Sequence, residues 1–298
     1  MKENEVFQDL GIKAVEKLRI EEKNIIINNF VNKIINILAK EENSNNMVEY
    51  QNKLDKITKK MLCCEIYVAE FENSEKNANY YFKNQTIYLN KQKEYLNISD
   101  EYTIHELIHY LQDIREKGQL KRFGLCECLE AKINALGLNE AAVQYITHKM
   151  LNKQLEEIKC GNIKLKTKSK NYYPMMCNLI EQIAFLIGDD ELIESTIFGN
   201  EKFEEKFIDL CGEKVFKDTI NVFDKLLELE NNDDELENGK YIEKISILYE
   251  KAQNIILEGY FYGYFPLIET SKELEDYKEK LINVKELIGD VDNFKFYE

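Results

Sequence analysis

The chain has 298 residues, and its 40 Lys and Arg against 55 Asp and Glu give a formal net charge of −15. A nucleic-acid interface needs a basic surface, so this balance argues against a nucleic-acid partner. Apolar residues make up 44% of the chain, as in ordinary globular proteins. No run is long and apolar enough to span a membrane, and the N-terminus has no signal-peptide core, so we expect a cytoplasmic protein.

The chain contains seven cysteines, an odd number that fits reduced thiols better than a disulfide framework. Cys63 and Cys64 are adjacent in a strand-like run. Cys126 and Cys128 are separated by one residue, whereas zinc knuckles require a two-residue gap. We therefore interpret all of the cysteines as core or incidental thiols.

Residues 1–60 are predicted to form an N-terminal helical segment. Apolar residues recur there at helical intervals, most clearly over 25–38. A polar, turn-prone cluster at 41–46 predicts a break in this segment. From about residue 61 the sequence becomes rich in β-branched and aromatic residues, and residues 64–71 are predicted to form a strand.

Two further strand-like runs, at 77–82 and 86–89, are separated by Lys-Asn-Gln and predict a β-hairpin. Residues 97–101, Asn-Ile-Ser-Asp-Glu, then provide a cap and first-turn acids for a following helix. That helix is predicted over 103–112, and it carries the sequence His-Glu-x-x-His.

His105 and His109 lie one helical turn apart, so both imidazoles can reach the same metal ion. Glu106 is rotated away from the metal-facing line but can still reach a water on that metal. The chain has three histidines in all, and chance placement of two of them in this pattern is improbable. The motif therefore predicts a zinc site, and it requires a third ligand elsewhere.

Beyond about residue 120 nearly all of the sequence has helical periodicity. Pro174 suits the first turn of a helix. The lysine-rich run at 159–170 is interpreted as a solvated loop, and the acidic segment at 228–237 as a turn between helices. The predicted helical segments are 125–136, 139–155, 174–188, 201–230, 240–258 and 271–289.

The third ligand must come from outside the motif. The metzincin pattern would place Gly and His three and six residues after His109, where this chain has Gln112 and Arg115, so that class is excluded. His148 lies two turns beyond Glu140 on a predicted helix, too far along to share the metal easily. The candidates are Asp113, Glu127, Glu130, Glu140 and His148.

The sequence Asn-Glu-Ala at 139–141 opens a second predicted helix some tens of residues after the motif. This arrangement resembles the glutamate helix of the gluzincins, the thermolysin-like zinc peptidases. The resemblance implies that His105, His109 and Glu140 bind Zn²⁺ and that Glu106 is the general base.

In thermolysin-like enzymes an Asp four residues after the ligand Glu is the partner of a ligand histidine. This chain has Gln144 there, which can accept the imidazole proton but brings no charge. The resemblance also implies an α+β fold, with a zincin-like core over 61–155 that holds a small antiparallel-containing sheet and the active-site helix. A mostly helical C-terminal subdomain at 156–298 would complete the cleft.

In gluzincins the strand before the active-site helix is a sheet edge that pairs with an extended peptide. The hairpin strand is similar to that edge, so Asn77, Ala78, Asn79 and Tyr80 are predicted to bind a peptide or protein substrate. Aminopeptidases of the clan carry Gly-x-Met-Glu-Asn on this edge to read a free amine. The chain has no such motif, which favours an endopeptidase.

Peptide hydrolysis also needs a donor for the oxyanion that forms on the attacked carbonyl. Thermolysin-like enzymes use a distal histidine, but this chain has none beyond His148. A tyrosine is the natural substitute, because its hydroxyl donates without a change of charge. Tyr173, just before Pro174, is the favoured candidate, with Tyr145 and the aromatic cluster at 259–266 as alternatives.

The pentapeptide His-Glu-Leu-Ile-His also resembles clostridial neurotoxin light chains. Those proteins use an Arg beyond the glutamate helix with a Tyr three residues later, whereas the arginines here are Arg19, Arg115 and Arg122. The relationship is therefore a distant one, and the sequence predicts a zinc-dependent peptidase. The alternatives are a catalytically impaired zincin scaffold that binds a partner, and a helical protein with a histidine pair in its core.

Overall fold

The computed structural model shows an α+β protein, as the sequence predicts. It divides into two compact units, Met1–Asp113 with Lys149–Asn152 and Ile114–His148 with Lys153–Glu298. No helix in the described part of the chain is long and apolar enough to cross a membrane. The described residues are 3–41, 47–73, 76–92, 100–129, 132–161, 163–231 and 239–288.

The first unit combines helices with a mixed sheet. Its elements are α1 (Glu3–Leu10), β1 (Ile12–Lys17), α2 (Ile20–Glu41), α3 (Met47–Leu62), β2 (Glu65–Phe71), β3 (Ala78–Tyr81), β4 (Thr86–Asn90) and α4 (Glu101–Gln112). The helical prediction for 1–60 is wrong at β1, where Gly11 ends α1 with a φ of 62°. The following strand then pairs with β2, a non-local partner that helical periodicity does not reveal.

The sheet of the first unit has the strand order β1-β2-β4-β3. Strands β2 and β4 run parallel, whereas β1 with β2 and β3 with β4 are antiparallel. The predicted hairpin is confirmed as β3 and β4, and β3 lies at one edge of the sheet. One group of buried residues on this sheet joins α1 to the strands and consists of Val6, Ile12, Ala69, Phe71, Tyr81 and Tyr88.

The second unit begins with short strands around a helix. These elements are β5 (Asp113–Glu116), β6 (Gln119–Phe123), β7 (Cys126–Leu129), β8 (Lys132–Ile133), α5 (Leu136–Leu151), β9 (Glu156–Cys160) and β10 (Ile163–Thr167). The first residue of β5 and the last three residues of α5 belong to the first unit. The helical prediction for 125–136 is wrong, because Gly124 turns the chain with a φ of 57° and pairs β7 with β6.

The lysine-rich run is also different from its prediction. The sequence predicts a solvated loop over residues 159–170, but β9 and β10 pair there as an antiparallel hairpin. Ile163, Leu165 and Thr167 are buried while the intervening lysines are more exposed, which is the period of a half-buried strand. The high lysine content therefore marks the solvent face of a hairpin.

The remainder of the second unit is helical, as predicted. Its helices are α6 (Pro174–Ile187), α7 (Asp189–Phe198), α8 (Lys202–Cys211), α9 (Glu213–Glu230), α10 (Gly239–Tyr264) and α11 (Ser271–Ile288). Pro174 begins α6 as predicted. The segment predicted as one helix over 201–230 is divided at Gly212, whose φ of 89° favours glycine.

Some predictions fall outside the described residues. These are the chain break over 42–46, the first part of the cap at 97–99, the ligand candidate Glu130 and most of the acidic turn at 232–237. The zincin-like core and the division into segments 1–60, 61–155 and 156–298 stay predictions.

Candidate metal centre

Helix α4 begins at a side-chain cap. The carboxylate of Asp100 accepts a hydrogen bond from the backbone N–H of Thr103 at 2.9 Å and another from its hydroxyl. Burial raises the pKa of Asp100, and these hydrogen bonds oppose the rise. The cap fixes the first turn of the helix, and with it the direction in which the histidines point.

The two motif histidines meet on the buried face of α4. His105 is 4% exposed and His109 is 6% exposed. Their Nε2 atoms lie 2.9 Å apart, and their ring centroids 4.6 Å apart. Two nitrogens bound to one zinc ion at ordinary bond lengths lie about 3.3 Å apart, so a small opening of this pair accommodates an ion.

Gln112 orients His109 from one turn further along the helix. Its side-chain oxygen is 2.8 Å from Nδ1 of His109, and the Gln112 residue is fully buried. An amide oxygen only accepts, so Nδ1 carries the proton and Nε2 of the neutral ring keeps its lone pair. This tautomer is the one in which Nε2 binds a metal. The sequence prediction missed Gln112, although its spacing of three residues from His109 was a usable signal.

Glu106 lies against the edge strand. The backbone N–H of Tyr80 donates a hydrogen bond to the Glu106 carboxylate at 2.6 Å.

The pairing of β3 with β4 decides which backbone groups of β3 face outward. Tyr80 lies opposite Ile87, and the backbone N–H of Asn90 donates to the carbonyl of Asn77 at 2.9 Å. Hydrogen-bonded and non-hydrogen-bonded residue pairs alternate along antiparallel strands, so the backbone groups of Asn77 and Asn79 form hydrogen bonds with β4. Ala78 and Tyr80 direct their backbone groups outward, toward the open edge.

Tyr80 is also held through its side chain. Its hydroxyl donates to the carboxylate of Asp113 at 2.5 Å, at the point where α4 ends. Asp113 is 2% exposed, and the side chain of Gln85 also donates to its carboxylate at 3.5 Å. The Tyr80 ring packs edge-on against Tyr110 of α4, with centroids 6.0 Å apart. The edge strand is therefore tied to the histidine helix at both a backbone and a side-chain position.

Glu140 is the fifth residue of α5. The backbone N–H of Gly137 donates to the carboxylate of Asp224 at 2.8 Å. A Cβ on Gly137 would lie only 2.1 Å from the carbonyl oxygen of Phe223, so only glycine fits there. The side chain of Asn139 accepts from the N–H of Leu125 at 3.1 Å. These contacts fix the start of the helix that presents Glu140.

Among the described residues, one ligand atom from each of His105, His109 and Glu140 lies within 4.8 Å of the others. Two imidazole nitrogens and a carboxylate form a donor set typical of catalytic zinc sites. Cys126 and Cys128, which would favour a structural site, are not members of this group.

The other ligand candidates have different surroundings. Asp113 accepts from Tyr80, as described above. Glu127 is exposed and lies 3.9 Å from the guanidinium of Arg122. Nε2 of His148 lies 2.8 Å from the side-chain nitrogen of Gln144. The role of Gln144 as partner of a ligand histidine stays a prediction.

The seven cysteines, all within the described residues, are thiols rather than disulfide sulfurs, consistent with the sequence-based interpretation. Cys126 is buried, and its pKa is raised above its ordinary value by burial and then by the negative charge of Glu140. A buried protonated thiol is a poor metal ligand, because the thiolate is the form that binds.

Tyr173 precedes α6 in a left-handed conformation with a φ of 50°, which is uncommon for a residue other than glycine. Burial raises the pKa of its hydroxyl, and the neighbouring Tyr172 and the charge of Glu140 raise it further. The phenol therefore stays protonated and can donate. The alternative Tyr145 uses its hydroxyl to donate to Asp189 at 2.7 Å.

The sequence and the fold were compared with known proteins. Protein-family models, curated proteins and solved structures give no significant match. The function is therefore inferred from the site itself.

Proposed function

We propose that the protein is a zinc-dependent peptidase that cleaves within peptide chains. The observation that carries this proposal is the pair of Nε2 atoms of His105 and His109, 2.9 Å apart on one buried helix face. Beside this pair, Glu106 contacts the outward-facing backbone of an edge strand. A metal-binding pair, a carboxylate and a strand edge are the parts that metal-assisted peptide hydrolysis requires.

His105, His109 and Glu140 would hold the zinc ion. When bound, zinc lowers the pKa of a water to about 7 and polarises a carbonyl group. The tautomer that Gln112 imposes on His109 leaves Nε2 ready to bind without loss of a further proton.

Glu106 serves as the general base. Its carboxylate accepts a proton from the attacking water and returns that proton to the amine that leaves when the peptide bond breaks. The N–H of Tyr80 holds one carboxylate oxygen of Glu106 and so fixes the direction of the side chain. The outward backbone groups of Ala78 and the outward carbonyl of Tyr80 pair with the substrate backbone, and Tyr173 donates to the oxyanion.

Replacement of Glu106 by Gln tests the proposal. Glu106→Gln keeps the shape of the side chain but removes the base, so we expect zinc content to be unchanged and peptide cleavage to fall at least 100-fold. Cleavage of a mixed peptide library is measured by mass spectrometry, and zinc by elemental analysis. The matched control is Glu70→Gln, because Glu70 is exposed on β2 of the same sheet.

Two results would contradict the proposal. Undiminished cleavage by Glu106→Gln would remove the role assigned to this residue. A purified protein that takes up no zinc, and whose melting temperature zinc does not change, would favour the alternative of a zincin-like scaffold that binds a partner without catalysis.

A further inference from the structure

Lys76 lies just before the edge strand, and its backbone is firmly held. Its carbonyl oxygen accepts a hydrogen bond from the Asn90 side chain at 2.6 Å, and its N–H donates to the carbonyl of Asn73 at 3.3 Å. These bonds attach Lys76 to β4 through Asn90 and fix the point from which its side chain extends. The residue is only partly exposed.

Among the described residues, the Lys76 ammonium has an aromatic neighbour but no acidic partner. It lies 5.4 Å from the centroid of the Phe71 ring. Within the described ranges, no carboxylate lies within ion-pair distance of it. Burial lowers the pKa of Lys76, and the negative charge of Glu106 opposes this shift. The lysine is therefore close enough to the proposed general base to interact with its charge.

The other lysine of the hairpin provides a contrast. Lys83 follows β3 at the opposite end, where its ammonium lies 2.6 Å from Asp9 and 3.8 Å from Glu5. Its cation is thus neutralised within the protein. A half-buried ammonium without such a partner has lost part of its hydration and gains no ion pair in return. An anion on a ligand would supply that partner.

We propose that Lys76 binds a carboxylate of the substrate peptide, next to the outward backbone groups of Ala78 and Tyr80. This inference rests on the proposed function, because it assumes that the peptide lies along β3. Two sources of the carboxylate share this chemistry: an acidic side chain within the peptide and a free C-terminus. In both cases the protein is selective for anionic peptides despite its own formal net charge of −15.

The test uses peptides that differ in one carboxylate. Glu is replaced by Gln at each position of a cleaved peptide, and in a second set the C-terminal carboxylate is replaced by an amide. For the zinc-loaded wild-type protein we expect kcat/KM to be at least about tenfold higher with the carboxylate at one position, as for a hydrogen bond to a charged group. The position identifies the source.

The variants separate Lys76 from general charge effects. Lys76→Gln should abolish the carboxylate preference, and Lys76→Glu should reverse it in favour of a Lys-containing peptide. Lys13→Gln changes the net charge by the same amount as Lys76→Gln, but at an exposed residue on the opposite edge strand of the sheet. This variant should keep the carboxylate preference. The same peptides are titrated against zinc-loaded Glu106→Gln protein to measure binding without turnover.

Each outcome decides between the two proposals. Cleavage without carboxylate preference, or a preference that survives in Lys76→Gln, overturns the role of Lys76 and leaves the peptidase in place. If peptides bind with a carboxylate preference that requires Lys76 but are not cleaved, the role of Lys76 is supported and the peptidase proposal is overturned. Neither cleavage nor carboxylate-dependent binding overturns both.

Discussion

At the scale of single residues, the chemistry of the candidate site depends on the protonation of its histidines. Gln112 determines which ring nitrogen of His109 carries the proton, because its amide oxygen accepts from Nδ1 and leaves Nε2 with a lone pair. The partner predicted from family resemblance was Gln144, which lies on a different helix, α5. A histidine oriented from its own helix is less dependent on the rest of the fold.

Loss of this hydrogen bond should weaken zinc binding. We expect Gln112→Ala to lower zinc affinity about 10- to 100-fold, since partners of ligand histidines have effects of this size. Gln112→Glu keeps an acceptor at the same position and should retain most of the affinity. Competition with a chromophoric chelator measures both values. Equal affinity in wild type and Gln112→Ala would show that another group orients the ring.

At the scale of elements, the edge strand β3 and the helix α4 are joined through Tyr80. Its backbone N–H binds Glu106 and its hydroxyl binds Asp113, which follows the last residue of α4. These two bonds set the distance between Glu106, the proposed general base, and the strand that would hold the substrate. The sequence spacing of Tyr80 from Glu106 and from Asp113 does not reveal either contact.

Removal of the Tyr80 hydroxyl should destabilise this junction. Tyr80→Phe removes one hydrogen-bond donor from the carboxylate of the buried Asp113, and we expect the free energy of unfolding to fall by about 1–3 kcal/mol. Tyr81→Phe is the matched control, because its hydroxyl donates to Asp9, whose side chain is 35% exposed. Urea denaturation measures both, and an equal or larger loss in Tyr81→Phe would contradict the expectation.

At the scale of the whole molecule, one buried carboxyl couples stability to pH. Glu230 ends α9, and its Oε1 atom is inaccessible and has no hydrogen-bond partner in the described part of the chain. Burial raises its pKa from an ordinary value of 4.5 to about 8. Burial raises the pKa values of Cys160 and Tyr241, and the negative charge of an ionised Glu230 raises both further. A protonated carboxyl is the form that this environment favours.

The sign of the effect follows from proton uptake. Between pH 4.5 and about 8 the native protein keeps the Glu230 proton, whereas the unfolded chain releases it. The free energy of unfolding should therefore decrease as pH rises through this range. Glu230→Gln mimics the protonated form and should flatten the dependence, and the exposed Glu228→Gln should not. Urea denaturation at pH 5 and pH 8 measures the difference in the free energy of unfolding between the two pH values. The same difference in Glu230→Gln as in wild type would show that Glu230 does not cause the pH dependence.

Local patterns predicted the helix of the site and the hairpin beside it. The cap at Asp100, the spacing of His105 and His109, and the alternation along β3 and β4 all act over a few residues, so the sequence states them directly. The same reasoning failed at β1 and over 125–136. Those strands exist because of partners that the period of a single segment does not identify.

The sequence by itself determined that one helix face carries two imidazoles with a carboxylate beside them, because helical geometry fixes side chains four residues apart. It also supplied Glu140 as a ligand candidate through family resemblance. Only the tertiary structure tied Tyr80 to Glu106 and left Lys76 without an acidic partner among the described residues. These facts depend on the packing of segments distant in sequence, which local propensity does not encode.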